Sequence, residues 1–221
     1  MTVKRLVQLD VDSTFIQQEA IELLAAKAGV LEEVSRITAA AMRGELDFAQ
    51  SLVARVALLQ GLSEDSFVQV QQEITVTDGA ADLVTLLHQK GHYVSLVSGG
   101  FTNILQPIVD AMKIDFYRAN TLEVVEGKLT GKVLGAIVDR AAKADALREF
   151  AAACGVDLSN TVAIGDGAND LDMMDIAGIS IAFNAKPIVE AAADYAITEP
   201  SLRTVAALIN LSLTNDKREY Q

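Results

Sequence analysis

Four short apolar runs along the chain each lead into a polar or glycine-containing loop, as buried strands do. We predict strands over residues 3–11, 92–97, 161–164 and 179–183. Five stretches with apolar residues at helical spacing lie between or after them, at residues 80–90, 102–112, 140–154, 169–177 and 202–211. Strands that alternate with helices of this length form a parallel sheet covered on both faces. The predicted fold class is therefore α/β, with a doubly wound parallel sheet.

The alternation is interrupted between residues 17 and 76, where we predict helices and no strand. Apolar residues recur there at helical spacing, as in Ile21, Leu24 and Ala25. We interpret residues 17–76, the cap segment, as a helical cap inserted over the ligand-binding edge of the sheet. Residues 1–16 and 77–221 would form the α/β core, with a hairpin within residues 121–133.

The composition is that of a folded acidic protein. Its 221 residues carry 30 Asp and Glu against 18 Lys and Arg, a formal charge of −12, and 51% of them are hydrophobic. This apolar content excludes a disordered chain. The acidic balance argues against nucleic acid or an anionic membrane surface as a partner. No apolar run approaches the roughly 18 residues of a membrane span, so we expect no membrane partner.

The cysteine content and the first residues favour a cytoplasmic location. Cys154 is the single cysteine, so no intramolecular disulfide forms and an oxidising compartment is not required. The apolar stretch near the N-terminus is too short for a secretory signal. The sequence leaves a monomer and a homodimer equally open.

Two carboxylates, Asp10 and Asp12, follow the first predicted strand. Two residues apart on an extended chain they would point in opposite directions, but where a strand turns into a loop both can face one pocket. One carboxylate could then attack a phosphorus atom while the other moves a proton. A solvated turn with an aspartate cap is the alternative for this motif alone, and its place after a buried strand favours function.

A second acidic group, GDGAND at residues 165–170, follows the third predicted strand. Asp166 would face the same edge as Asp10, because the carboxyl ends of parallel strands meet there. Clustered carboxylates repel one another unless a cation lies among them. Oxygen ligands without His or Cys suit a hard ion, Mg²⁺ ahead of Ca²⁺. A glycine-rich turn that caps the next helix is the alternative.

Two further features could receive an anion. Ser98-Gly99-Gly100 follows the predicted strand at residues 92–97, and small residues there can expose backbone N–H groups and a hydroxyl. Lys143, near the start of the helix at residues 140–154, could supply a fixed positive charge. A plain turn and a surface lysine would look the same when taken singly. All four signals together indicate one crevice at the sheet edge.

The order and spacing of these motifs resemble the haloacid dehalogenase superfamily. The matching motifs are DVDST at residues 10–14, SGG at 98–100, Lys143 and GDGAND at 165–170. Four further segments resemble the phosphoserine phosphatase family within it: IQQE at 16–19, AMRGELDF at 41–48, QSLVARV at 50–56 and SGGF at 98–101. The likeness extends from about Leu6 to Leu208.

This resemblance implies a Mg²⁺-dependent phosphatase that hydrolyses phosphoserine, the last step of serine biosynthesis. Asp10 would be the nucleophile that becomes aspartyl phosphate, and Asp12 the general acid and then base. The side chains of Asp10 and Asp166 and the main-chain carbonyl of Asp12 would hold Mg²⁺, with Asp170 supporting them. The phosphoryl oxygens and the rest of the substrate would be bound by Ser98, Gly99, Lys143, Asn169, Glu19, Arg55, Met42 and Phe48.

In this set, Glu19 and Arg55 would hold the amino and carboxylate groups of the substrate, and Met42 and Phe48 would close the cap over it. The sequence supports Arg55 independently, because it lies on the apolar stripe of its helix, where a charge without a partner is costly. An arginine at the edge of the cap core is the alternative. Glu19 could instead interact favourably with the dipole of its helix, as acidic residues in the first turn do. Met42 and Phe48 could simply belong to the hydrophobic core of the cap.

Three rival functions use the same residues. A phosphotransferase, or a phosphatase for another small phosphate ester, would leave the charges of Glu19 and Arg55 unpaired. A receiver-type signalling domain also uses an acceptor aspartate and a lysine on a doubly wound sheet, but it needs neither Asp12 nor a cap. An inactive binding module would not need every motif position filled.

Overall fold

The computed structural model describes residues 3–42 and 45–212 of the chain. Within them, seven strands form one sheet in the order β4-β3-β2-β1-β5-β6-β7. The strands are β1 (Leu6–Asp10), β2 (Tyr93–Phe101), β3 (Phe116–Val125), β4 (Lys128–Leu134), β5 (Thr161–Gly165), β6 (Ile179–Phe183) and β7 (Tyr195–Ile197). All neighbours are parallel except β3 and β4, which form an antiparallel hairpin.

Helices cover both faces of the sheet and the edge formed by the carboxyl ends of its parallel strands. Four belong to the cap segment: α1 (Ala20–Ala28), α2 (Leu31–Met42), α3 (Phe48–Ala57) and α4 (Asp65–Glu73). The others are α5 (Ala80–Gln89), α6 (Thr102–Met112), α7 (Arg140–Cys154), α8 (Leu171–Ile176), α9 (Pro187–Glu190) and α10 (Leu202–Ser212). Among the helices of the described residues, none combines the length and the apolar character that crossing a bilayer requires.

The central strand β1 separates two hydrophobic clusters, because successive side chains of a strand point to opposite faces. Val7 and Leu9 pack in the cluster that includes α5, α6 and α10. Leu6 points to the other face, into the cluster that includes α7 and α8. Gln8 and Asp10 share the face of Leu6 by the same alternation, which directs the buried Asp10 carboxylate toward α7.

A third cluster joins the cap segment to the core. It combines buried side chains of α1 and α3, such as Leu24 and Leu52, with Phe101 at the end of β2 and Leu129 on β4. Burial of these apolar surfaces holds the cap helices against the β3–β4 hairpin and the end of β2. This packing places the cap helices over the carboxyl ends of β1 and β2.

The predicted fold class is confirmed, with helices on both faces of a mainly parallel sheet. The predicted hairpin corresponds to β3 and β4, although β3 also extends the main sheet beside β2. The loop predicted at Ser98-Gly99-Gly100 is wrong in one respect: β2 continues to Phe101 through a register shift after Val97. The division into residues 1–16, 17–76 and 77–221 stays a prediction.

Three further elements differ from the sequence prediction. The helix predicted from residue 169 begins with a 3₁₀ turn, and α8 starts at Leu171. Neither α9 nor β7 was predicted, because four and three residues are too few to show a period. Each of these differences lies at the end of an element or in a very short one.

Candidate active site

A cavity of about 810 Å³ lies between the cap helices and the carboxyl edge of the sheet. Cap helices α1, α2 and α3 form one wall, and the loops after β1 and β5 form the other, together with glycines near the end of β2. A parallel sheet places its ligands at this edge. The predicted residues that line the cavity are Asp10, Asp12, Glu19, Phe48, Arg55, Gly99, Asp166 and Asn169.

Lys143 bridges two carboxylates beneath the cavity floor. Its Nζ donates to Oδ1 of Asp10 at 2.5 Å and to Oδ1 of Asp170 at 2.8 Å, and all three side chains are buried. The amide of Gln8 donates to the main-chain carbonyl of Lys143 at 3.0 Å, which ties the start of α7 to β1. Lys143 thus orients the Asp10 carboxylate at the edge of the cavity.

The charges of this cluster oppose one another. Burial and the negative charge of Asp170 raise the pKa of Asp10 well above its ordinary value, while Lys143 acts in the opposite direction. The same two carboxylates raise the pKa of Lys143 against the effect of its burial. Lys143 therefore stays protonated, and any further cation near Asp10 would favour its carboxylate form.

Asp12 is held by both the core and the cap. Its Oδ2 accepts a hydrogen bond from Ser98 Oγ at 2.9 Å, and its Oδ1 accepts one from the Ala20 N–H at 2.8 Å. Ser98 is fully buried and its Oγ also accepts from the Gly100 N–H at 2.7 Å. Burial raises the pKa of Asp12, which these hydrogen bonds partly offset. Ser98, which lies beneath the cavity surface, accordingly positions Asp12 at that surface.

The turn that carries Asp12 has an unusual backbone. Residues Val11–Phe15 form a turn that the Ile16 N–H closes on the Val11 carbonyl at 2.9 Å, and within it Asp12 is extended and Ser13 has a φ of 59°. Such a positive φ is uncommon outside glycine. The turn directs Asp12 back over the end of β1, so that its carboxylate and that of Asp10 line one cavity.

Three carboxylates could hold a metal ion. One oxygen each of Asp10, Asp166 and Asp170 lie within 4.8 Å of one another. Burial and Asp170 raise the pKa of Asp166 to about 6, which a cation would reverse. Asp170 accepts from Lys143 and from the Gly167 N–H at 3.1 Å, so its oxygens are already engaged. An oxygen-only donor set of this kind fits a hard divalent cation.

Two charged residues of the cap face the same cavity: Glu19 lies just before α1, and Arg55 lies on α3. Glu19 accepts a hydrogen bond from Ser13 Oγ at 2.8 Å, and burial together with the nearby Asp12 raises the pKa of Glu19 to about 7. Arg55 donates through Nε to the Ser51 carbonyl at 3.2 Å. Burial lowers the pKa of Arg55, and the guanidinium forms no ion pair with Glu19 or any other carboxylate of the described residues.

Phe48 closes the cavity over the end of β2. A Cβ on Gly99 would lie 2.7 Å from Cζ of the Phe48 ring, so a larger residue there would force the ring to move. Met42 is the last residue of α2, and its side chain is not among those that the structure describes. The prediction for Met42 therefore stays a prediction.

Sequence reasoning missed several residues that line the cavity, including Ser13, Ser51, Arg140 and Lys186. Lys186 follows β6, and its backbone N–H donates to the Asp166 carbonyl at 3.2 Å. Its position after a strand at the carboxyl edge was the available signal. Arg140, which pairs with Asp172 at 2.5 Å, begins a helix and gave no comparable signal.

Comparison with known proteins agrees with this geometry. The model of the family "haloacid dehalogenase-like hydrolase" matches residues 7–175. Phosphoserine phosphatases of Streptomyces coelicolor and Streptococcus thermophilus are 56% and 50% identical to the chain, over 95% and 94% of it. A solved structure described as a phospho-aspartyl intermediate analogue of phosphoserine phosphatase has a TM-score of 0.88 at 42% identity, covering 93% of this chain and 99% of that one. The chain therefore belongs to the haloacid dehalogenase-like hydrolases and, within them, to the phosphoserine phosphatase family.

The relatives differ in length. The chain spans 51% of the Streptomyces protein and 97% of the Streptococcus protein. The matched region contains both the cap segment and the residues around Asp10 and Asp166.

Proposed function

We propose that the chain is a Mg²⁺-dependent phosphatase that hydrolyses O-phosphoserine to serine and phosphate, the last step of serine biosynthesis. The observation that carries this proposal is the pair Glu19 and Arg55, which line one cavity with Asp10 and form no ion pair with each other. A ligand with an ammonium and a carboxylate group would pair both charges. The amino-acid head of phosphoserine has both groups, and its phosphate would reach Asp10.

The first chemical step assigns the nucleophile to Asp10. A carboxylate oxygen of Asp10 forms a bond to phosphorus, and the bond between phosphorus and the serine oxygen breaks. Lys143 supports this role, because its ammonium holds the Asp10 carboxylate in one orientation and favours its ionised form. The product of this step is an aspartyl phosphate and free serine.

Asp12 supplies the proton for the leaving serine oxygen. Burial raises the pKa of Asp12, and this is the direction that a general acid requires. In the second step the Asp12 carboxylate accepts a proton from water, and the water oxygen attacks phosphorus. The bond between phosphorus and Asp10 then breaks, and phosphate leaves.

Asp10, Asp166 and the main-chain carbonyl of Asp12 would hold Mg²⁺, with Asp170 fixed behind them by Lys143 and Gly167. When bound, the ion would neutralise the clustered carboxylates and the charge on the transferred phosphoryl group. Asn169 and Gly99, which line the cavity, would donate hydrogen bonds to the phosphoryl oxygens. Ser98 would act through Asp12.

The cap segment supports a reaction shielded from water. Phe48 lies over Gly99, and helices α1 to α3 cover the edge of the sheet. Exclusion of bulk water until the aspartyl phosphate forms would protect the phosphoryl transfer. We also propose the cytoplasm as the compartment, because the single cysteine, Cys154, is a free thiol.

Phosphate release from a panel of phosphomonoesters tests this function. The panel contains O-phospho-L-serine, O-phosphoethanolamine and glycerol phosphate, each with Mg²⁺ and with a chelator, and the Asp10→Asn variant is measured in parallel. We expect phosphoserine to be hydrolysed much faster than the other two, and only with Mg²⁺. Equal rates on all three esters would refute the substrate, and undiminished turnover by Asp10→Asn would refute the mechanism.

A further inference from the structure

The hydroxyl of Ser51 is buried and has no hydrogen-bond partner among the residues that the structure describes. The residue is 1% exposed on helix α3, and its Oγ is one of three buried side-chain polar atoms of the described residues that lack a partner. The other two, on Arg5 and His92, belong to residues beside the opposite, amino end of β1 and β2. Ser51 alone of the three lines the cavity. An unpaired buried hydroxyl lowers stability, so its presence here needs an explanation.

The helix itself offers this hydroxyl an ordinary partner that it does not use. A serine within a helix often bonds to the carbonyl four residues earlier. That carbonyl belongs to Asp47, and it accepts the backbone N–H of Ser51 at 3.0 Å. The Oγ of Ser51 forms no bond to it. The hydroxyl is therefore left for a group that the described residues do not supply.

Ser51 and Arg55 lie one turn apart on the same face of α3. Arg55 folds back along the helix so that its Nε donates to the Ser51 carbonyl at 3.2 Å. The two terminal nitrogens of the guanidinium remain without a protein partner among the described residues. An anion bound by these nitrogens would lie next to Ser51.

We propose that Ser51 Oγ donates a hydrogen bond to the substrate carboxylate that Arg55 binds. This inference rests on the proposed function and adds a binding residue to it. A carboxylate has about four lone-pair positions, so a bidentate arginine leaves room for a further donor. Because Ser51 belongs to the cavity wall, rotation about its Cα–Cβ bond can turn the hydroxyl toward the ligand without movement of α3.

The test compares Ser51→Ala and Ser51→Cys with the native chain on two substrates. O-Phosphoserine has the carboxylate, and O-phosphoethanolamine keeps the amine and the phosphate but lacks it. Cysteine preserves the side-chain volume and is a weak donor, so it separates a lost hydrogen bond from a lost contact. We expect both variants to raise the KM for phosphoserine about tenfold. The kcat for phosphoserine and the KM for phosphoethanolamine should change less than about twofold.

Stability gives a second readout. Removal of an unpaired buried hydroxyl should leave the urea midpoint of Ser51→Ala unchanged or higher. Unchanged KM values for phosphoserine, an equal rise for both substrates, or a lower urea midpoint would overturn the role of Ser51. If the native chain hydrolyses phosphoserine, such a result refutes the Ser51 inference alone. If the native chain does not hydrolyse phosphoserine, the proposed function fails and this inference fails with it.

Discussion

The backbone N–H of Ala20 donates a 2.8 Å hydrogen bond to Oδ1 of Asp12. Ala20 is the first residue of cap helix α1, and Asp12 belongs to the turn that follows the central strand of the core. The other oxygen of Asp12 accepts from Ser98 on β2. The carboxyl group proposed as general acid is thus fixed between the two parts of the protein, and any movement that separates α1 from this turn breaks one of its bonds.

The first prediction concerns the core side of this arrangement. Ser98→Ala removes the hydroxyl that donates to Asp12 and accepts from the Gly100 N–H. We expect kcat for phosphoserine to fall about tenfold, because one hydrogen bond to the carboxyl group is lost, with a destabilisation of about 1–2 kcal/mol. Steady-state kinetics and urea unfolding measure the two effects.

Ser95→Ala is the matched control. Ser95 is buried on the same strand and donates to Gln8 at 3.3 Å, away from the cavity. It should lower stability by a similar amount and leave kcat within about twofold of the native value. Equal kcat losses in the two variants would show that Ser98 acts through general stability and not through Asp12.

The second prediction concerns the buried lysine. Lys143→Met leaves the Asp10 and Asp170 carboxylates buried without their cation, which should lower the free energy of unfolding by about 3–5 kcal/mol at pH 7 without metal. Lys186→Met is the control, since Lys186 is exposed at the rim of the same cavity and should change stability by less than about 0.5 kcal/mol. Similar urea midpoints for both variants would contradict the structural role of Lys143.

The third prediction is a pH dependence of stability in the metal-free protein. The folded-state pKa of Asp166 is about 6, above its ordinary value of 3.8, so the folded protein binds more protons than the unfolded chain between these values. The contribution of Asp166 to the free energy of unfolding is fully present below pH 3.8 and is lost as the pH rises through about 6. Urea unfolding with a chelator measures this effect. Between pH 5 and pH 7.5 the free energy of unfolding should fall by about 1 kcal/mol more in the native protein than in Asp166→Asn.

Mg²⁺ should reverse this effect at pH 7.5. A cation among Asp10, Asp166 and Asp170 favours their charged forms, so it should raise the unfolding midpoint of the native chain and raise that of Asp166→Asn less. A pH dependence identical in the native chain and Asp166→Asn would refute the assignment to Asp166. An equal Mg²⁺ effect in both would refute its role as a ligand.

The fourth prediction concerns Glu19, whose pKa in the free protein is about 7. Glu19→Gln should raise the KM for phosphoserine about thirtyfold, because the substrate ammonium loses its charged partner, and should change the KM for glycerol phosphate little. The native chain should also bind phosphoserine less tightly as the pH falls below 7, and Glu19→Gln should lose this dependence. Glu32→Gln, an equal charge change at an exposed position of α2, should behave like the native chain. A similar loss on both substrates would contradict recognition of the amine by Glu19.

The sequence allowed prediction of the sheet and of the motifs that meet at its edge, because alternating strands and helices place the carboxyl ends of β1, β2 and β5 together. It did not reveal that the Asp12 carboxylate accepts a hydrogen bond from the backbone N–H of Ala20. That contact depends on the turn with Ser13 at positive φ, and serine carries no sequence signal for such a conformation.

The depth of two predicted site residues was not visible in the sequence. Ser98 and Lys143 are buried beneath the cavity floor, where Ser98 donates to Asp12 and Lys143 donates to Asp10 and Asp170. Their contact with the phosphoryl oxygens stays a prediction. Sequence position places a residue at the sheet edge but does not give the depth of its side chain. The lack of a hydrogen-bond partner for the Ser51 hydroxyl among the described residues is likewise visible only once the neighbouring atoms are located.

Trapping of the phosphorylated residue during phosphoserine turnover tests the central claim most directly. Borohydride reduces an acyl phosphate, so an aspartyl phosphate becomes homoserine, which peptide mass spectrometry locates in the chain. The account predicts homoserine at position 10 in the native protein quenched with phosphoserine and Mg²⁺, and none without substrate. Aspartate unchanged at position 10 during turnover, or homoserine at position 166 or 170 instead, would contradict it.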